Sequence, residues 1–245
     1  MCAIRTKNLY LKDITVRQSP AWCVHFIYCQ DISVNGVQVH TKFDENGNRY
    51  FNVYNGDGID PDSSKNIYIF NSMIDSQDDC IAIKSGRDED GKRVGISTEN
   101  VRISNCVFKN GFGVAVGSEM SAGVRNVFVE DCTFHNTFSI GTVKAPRGRG
   151  GVIEDIIYRN CTLKSDSLEH HDCRWFRGAL LIDQFYSHEE YDADKKEEVT
   201  EGTPIIRNIT FENITGSGKY AIKVRNVESL SLTEIKLVER KEDRS

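Results

Sequence analysis

Short apolar alternations recur along the whole chain, each reading Asn or Asp, apolar, any, apolar, any, polar or Gly, small or apolar, any, apolar. This nine-residue unit occurs eight times, as NLYLKDITV from Asn8, DISVNGVQV from Asp31, NIYIFNSMI from Asn66, NVRISNCVF from Asn100, NVFVEDCTF from Asn126, DIIYRNCTL from Asp155, NITFENITG from Asn208 and SLSLTEIKL from Ser229. Successive starts lie 23, 35, 34, 26, 29, 53 and 21 residues apart. Such intervals are those of a solenoid whose coils repeat one supersecondary unit while the loops vary.

Within a unit the period of two predicts a strand with one buried face, and the polar or Gly residue at the sixth place predicts a bend. Helical periodicity is absent from any long stretch. An all-β, right-handed, single-stranded parallel β-helix meets these requirements: each coil gives short strands to parallel sheets, side chains fill the interior, and insertions become loops. A propeller needs more regular blades of roughly 40 residues. The seventh place holds Ile14, Val37, Ser72, Cys106, Cys132, Cys161, Ile214 and Ile235, so three cysteines are expected to stack inward in one column. Asn8, Asn66, Asn100, Asn126 and Asn208 are expected to stack at a corner, which makes the N-x-T sequons at Asn160, Asn208 and Asn213 by-products of the repeat.

Composition narrows the function. With 31 Lys plus Arg against 36 Asp plus Glu the net charge is −5, which argues against a general nucleic-acid binder. No stretch approaches the roughly 18 consecutive apolar residues of a membrane helix, and Met1 to Tyr10 lacks a signal-peptide core, so the chain as given is expected to be cytoplasmic. The eight cysteines show no C-x-x-C pair and no metal-like spacing with His. A single domain over 1–245 is expected, with the charged stretch 187–202 as an inserted surface loop.

The chemistry concentrates in two adjacent acidic segments. NGDGIDPD holds Asp57, Asp60 and Asp62, and SQDDCIAIKSG holds Asp78 and Asp79. Asp57 and Asp78 are 21 residues apart, one short coil, and are expected to stack as vertical neighbours so that three acids converge. Such clustering costs Coulomb energy unless one acid is protonated, and a protonated carboxyl beside an ionised one suits acid and base work. On the residues alone three readings stand: acid–base catalysis, a calcium site, and solvated acidic turns, although calcium repeats of the G-G-x-G-x-D type are absent. Asp60 and Asp62 are expected to cap the turn after NGDG.

NGDGIDPDSSKNI (from Asn55), QDDCIAIKSG (from Gln77), NGFGVAVGSEMSAGV (from Asn110) and TVKAPRGRGG (from Thr142) together resemble the polygalacturonases of glycoside hydrolase family 28. The resemblance runs from SPAW at Ser19 to IIRNITFENIT near Thr215. It implies a right-handed parallel β-helix that cleaves the glycosidic bonds of acidic pectic polysaccharides or oligosaccharides with inversion, using no metal or organic cofactor. Matched by motif, the family's N-T-D corresponds to Asn55, Gly56 and Asp57, and its D-D pair to Asp78 and Asp79. The implied single displacement has Asp78 as general acid, with Asp57 and Asp79 as bases activating a water. Acid and base carboxyls would then stand roughly 6.5 to 9.5 Å apart.

Two departures follow from the same comparison. The family's carboxylate-binding R-I-K reads Thr142, Val143 and Lys144, leaving Lys144 as binder, with Arg147, Arg149 and Lys84 as a local basic wall for an anionic polymer. Its G-H-G reads Gly111, Phe112 and Gly113, so Phe112 is expected to line a more apolar subsite. Three outcomes stand open: a hydrolase with a changed sugar at the cleavage subsite, as in rhamnogalacturonan-cleaving members; a galacturonidase compensated by Arg147 or Arg149; and a site that only binds. Glu119, Tyr186, Asp183, His170 and His171 read as loop or rim residues, and Trp22 and Trp175 as core or edge aromatics or a sugar platform. Family members are usually longer and often secreted, so this chain is expected to lack N-terminal coils and to self-associate through an uncapped first coil.

Overall fold

The structure is a computed structural model that describes residues 1–44, 46–51, 53–164, 179–186, 198–218 and 221–239. His170, His171, Trp175 and most of the stretch 187–202 lie outside the described residues. One line of parallel strands runs in chain order through Cys2–Ile4, Val24–Ile27, Ile59–Asp62, Ile81–Ile83, Val114–Gly117, Gly141–Lys144, Leu180–Asp183 and Ile222–Arg225. A second runs through Lys7–Lys12, Gln30–Asn35, Lys65–Phe70, Thr98–Ser104 and Val124–Glu130 into Val152–Lys164, then Ile205–Gly218 and Leu230–Glu239. A third, from Thr15–Arg17 through Gln38–His40, Met73–Ser76, Val107–Asn110 and Thr133–His135, joins the far half of Val152–Lys164. The fold is therefore a parallel β-helix, and each nine-residue unit supplies one strand of the second line, a bend, and the start of the third.

The polar places of the unit are where the chain turns. Asn8, Asp31, Asn66, Asn100, Asn126, Asp155 and Asn208 all hold positive φ, between 54° and 58°. Asn and Asp tolerate this left-handed conformation better than other side-chain-bearing residues. Stacking coil on coil then lines up their amides: Asn66 Nδ2 donates to Asp31 Oδ1 at 2.7 Å, Asn100 to Asn66 at 2.9 Å, and Asn126 to Asn100 at 2.7 Å. The sixth place repeats the device, with Asn160 donating to Asp131 and Asn213 to Asn160, both at 2.9 Å. The three sequon asparagines are thus held in these two ladders.

Inside, Ile67, Val101, Val127, Ile156 and Ile209 form one register column, with Cys106, Cys132 and Cys161 buried nearby as free thiols. The inward column of the first line carries Val24, Ile59, Ile81, Val114, Gly141 and Leu180. Glycine is required at position 141 because a Cβ there would stand 2.8 Å from the Tyr158 ring, whose hydroxyl donates to the Val114 carbonyl at 3.0 Å. The one helix among the described residues, Asp88–Val94, is inserted after Ile81–Ile83 and ends at Gly95 in the left-handed conformation, φ 64°.

Candidate active site

Alternation along the first line sends side chains outward at its second and fourth places. The outward rows read His25, Asp60, Ala82, Ala115, Thr142 and Leu181, then Ile27, Asp62, Lys84, Gly117, Lys144 and Asp183. Two residues before the strands a third row forms from Trp22, Asp57, Asp79, Phe112 and Ser139, one residue from each of five successive coils. Trp22, Asp57, Asp78, Asp79, Lys84, Phe112, Thr142 and Lys144, with Tyr54, Asn55, Arg87, Ser118, Glu119, Phe138, Ser139, Arg149, Leu181 and Tyr186, line a cleft of about 720 Å³.

Gly58 permits Asp57 to sit where it does, since a Cβ at position 58 would stand 2.4 Å from both the Cys80 carbonyl oxygen and Ile74 Cγ2. Ile59 pairs with Ile81, and the Gly58 amide donates to the Asp79 carbonyl at 3.0 Å. Asp57 is therefore level with Asp79, whereas the sequence spacing placed it level with Asp78. The difference of one residue is absorbed at the bend, where the amides of Gln77 and Asp78 both reach the Gly56 carbonyl. One carboxylate oxygen from each of Asp57, Asp78 and Asp79 lies within 4.8 Å of the others. That is tighter than the roughly 6.5 to 9.5 Å of a widely spaced acid and base, because all three side chains turn into one cleft from a single bend and the coil beside it.

Two buried lysines neutralise this cluster. Lys84 Nζ lies 3.6 Å from Asp57, 3.4 Å from Asp60 and 3.3 Å from Glu119, with the Trp22 ring centroid at 4.6 Å. Lys144 Nζ donates to Asp79 Oδ2 at 2.5 Å and lies 5.4 Å from the Tyr186 ring centroid. Burial pushes the Asp57 carboxyl up to about 7; Lys84 opposes the rise, and Asp78 and Asp79 add to it. Burial, then Asp79, also raises Asp78, while Asp60 is raised well above the carboxylate range by burial and by Asp57. Burial would lower both lysines, yet their carboxylate neighbours outweigh it and hold both above the ordinary range.

Asp60 is fully buried beneath the cluster, not at a turn, whereas Asp62 does cap one: its Oδ1 accepts from the Gly86 amide and the Ser63 hydroxyl, both at 3.0 Å. Asp183 is likewise a buried ion-pair partner, of Arg225, and not a rim residue. Arg147 turns to the neighbouring loop, donating to the Glu198 carbonyl at 2.6 Å and lying over Phe185, and does not line the cleft. Arg149 does line it, held by Asp88 at 2.9 Å, and its Nη1 is buried with no hydrogen-bond partner among the described residues. Phe112 stacks on Phe138, centroids 4.5 Å apart, while Ser139 donates to the Phe112 carbonyl and pairs with the Thr142 hydroxyl at 2.9 Å. Tyr54, Arg87, Ser118, Phe138 and Ser139 went unmarked in the sequence; for Ser139 the register row itself was the available signal.

The three aspartates are also, among the described residues, the group that could gather around a cation. The Lys84 and Lys144 ammonium groups already stand against two of its members, which disfavours a further positive charge.

The structure is a parallel β-helix whose lateral cleft gathers two buried aspartates, a half-buried third and two buried lysines. The sequence pattern described as "Glycosyl hydrolases family 28" matches residues 1–237, and the chain belongs to that family. It is 30% identical over 231 residues to a "Probable polygalacturonase" of Vitis vinifera, covering 93% of this chain and 43% of that protein. It is similarly 30% identical over 160 residues to an "Exo-poly-alpha-D-galacturonosidase" of Dickeya chrysanthemi, covering 65% of this chain and 25% of that one. The crystal structure of a hyperthermoactive exopolygalacturonase from Thermotoga maritima superposes with a TM-score of 0.72 at 25% identity, over 95% of this chain and 50% of that one. The chain thus spans about half the length, or less, of the relatives it matches.

Proposed function

We propose that this chain carries the cleft of a glycosidase that hydrolyses α-linked, galacturonate-containing pectic chains with inversion. The observation that carries the hydrolase reading is the convergence of Asp57, Asp78 and Asp79 within 4.8 Å, flanked by two buried ammonium groups, whereas inversion is taken from the family resemblance and not from this spacing. Two carboxylate oxygens at such a separation can both accept from one water lying between them. Asp57 and Asp79, level on adjacent coils, take the role of bases on that water. Asp78, raised by burial, takes the role of the acid that protonates the leaving oxygen. Lys144 is occupied by Asp79 and Lys84 by three carboxylates, so the substrate carboxylate falls to Arg149 and Arg87 on the cleft wall.

A second reading has a specific observation behind it. The stacked Phe112 and Phe138 with Leu181 and Thr142 make one side of the cleft apolar and uncharged, which favours a neutral sugar there, as in a rhamnogalacturonan-type substrate. One experiment separates these: homogalacturonan and rhamnogalacturonan oligosaccharides are incubated with the wild-type chain and with Asp78→Asn, and products are resolved by size and by the anomer first released. Cleavage lost in the variant, with the inverted anomer, supports the hydrolase; retention of configuration refutes single displacement. Binding without any turnover identifies a carbohydrate-binding β-helix.

A further inference from the structure

Lys84 enters the sequence as one more positive charge for an anionic polymer, yet its surroundings give it another task. It is 5% exposed, and its ammonium faces Asp57, Asp60 and Glu119 at 3.3 to 3.6 Å with the Trp22 ring as a roof. Although it reaches the cleft, a cation so enclosed is already compensated by three carboxylates before a substrate carboxylate arrives. Its partners come from both neighbouring coils: Asp57 and Asp60 from the coil before, Glu119 from the coil after. Asp60 and Asp57 otherwise face one another and Asp79 with little solvent access, where two uncompensated negative charges are strongly disfavoured.

We infer that Lys84 is a positioning residue: its ammonium, gripped by Asp60 and Glu119, is the counter-ion that opposes protonation of Asp57 and fixes its carboxylate beside Asp79. The inference rests on the hydrolase reading only for its kinetic consequence; the geometry stands without it. The groups facing Asp57 are Lys84, Asp60, Asp78, Asp79 and Lys144, and of the two cations Lys84 acts on it more strongly. Asp57 already rises to about 7 with Lys84 present, so removing that charge would leave it protonated at neutral pH and useless as a base.

The test uses Lys84→Met, which keeps the stem and removes the charge, and Lys84→Arg, which keeps the charge. The Asp57 carboxyl is followed by carbon-13 NMR titration, and the acid limb of kcat/KM is measured on whichever oligosaccharide the wild type cleaves. The expected result is an Asp57 midpoint about one pH unit or more higher in Lys84→Met, with recovery of at least half that shift in Lys84→Arg. The acid limb should follow, while KM changes less than about threefold, a split that a lost substrate contact would reverse. An unmoved midpoint accompanied only by a lower melting temperature would overturn the inference and leave Lys84 a structural ion. Should Lys84→Met not fold, Lys84→Gln, which keeps hydrogen bonding to the carboxylates without the charge, decides: a raised Asp57 midpoint is expected, and an unchanged or lowered midpoint overturns the proposal. Because the titration needs no turnover, failure of the hydrolase reading appears separately, as a wild type without activity.

Discussion

Lys144 spends its ammonium on Asp79, with Nζ 2.5 Å from Oδ2. The residue expected to hold a substrate carboxylate is thereby joined to a candidate base, and at 8% exposure it meets that base largely out of solvent. Lys144→Met should lower kcat by at least about 100-fold with a much smaller rise in KM, and should destabilise the fold by about 3 kcal/mol, since it strands a buried charge. Steady-state kinetics and chemical denaturation check both; a variant that loses only KM would return Lys144 to the substrate.

The acids also set how stability varies with pH. Asp57, Asp60 and Asp78 are all held above the ordinary carboxylate range, Asp57 at about 7. Between about pH 4 and pH 7 the folded chain therefore keeps protons that the unfolded chain releases. Their contribution is full below the unfolded value and is lost as pH rises through the folded one. Lys84 and Lys144, raised above the usual lysine range, lose theirs only in strong alkali and leave this window unaffected. The melting temperature should be higher near pH 5 than near pH 8, and Asp60→Asn should flatten the difference; a rise with pH contradicts the assignment.

Asn100 sits mid-ladder, donating to Asn66 and accepting from Asn126, with φ 56°. Asn100→Ala removes two amide bonds and forces a Cβ-bearing residue without a local polar partner into the left-handed region. A loss of about 2 kcal/mol is expected. Asn100→Gly should cost less, because glycine removes the conformational part, and urea denaturation of the pair isolates the amide contribution.

The counter-ions at the cluster predict indifference to chelators. Turnover in EDTA should stay within about twofold of that with added calcium, given two ammonium groups at the carboxylates. A tenfold loss restored by calcium would reinstate the cation reading of the acidic segments.

The solenoid was legible because its signal is local and repeated: all eight units carry a left-handed bend at the sixth place, with two separate strands around it in the first five and one continuous strand through it in the last three. Convergence of Asp57, Asp78 and Asp79 followed from stacking coils of similar length. Their register did not, because one residue of slack at Gln77 and Asp78 is invisible in a spacing. Nor could spacing tell that Asp60 faces outward into the cluster, or that Lys84 is enclosed, since its partners come from different coils. The helix Asp88–Val94 is seven residues long with Gly91 inside it, too short for a periodic pattern. Phe138 and Tyr54 carry no motif and are brought to the cleft by loop geometry alone.

The asparagine corners have one more consequence. By locking each coil onto the next, they graduate the outer face of the first strand line like a ruler, one mark per coil at about 4.8 Å. That interval is comparable with the length of one pyranose ring, so a polymer lying along the axis would meet Trp22, Asp57, Asp79, Phe112 and Ser139 as a series of separate stations. Recognition then becomes a matter of reading order: exchanging the side chain at Trp22, Phe112 or Ser139 would alter what is accepted at that step, while an exchange at Asp57 or Asp79 would silence the reaction itself.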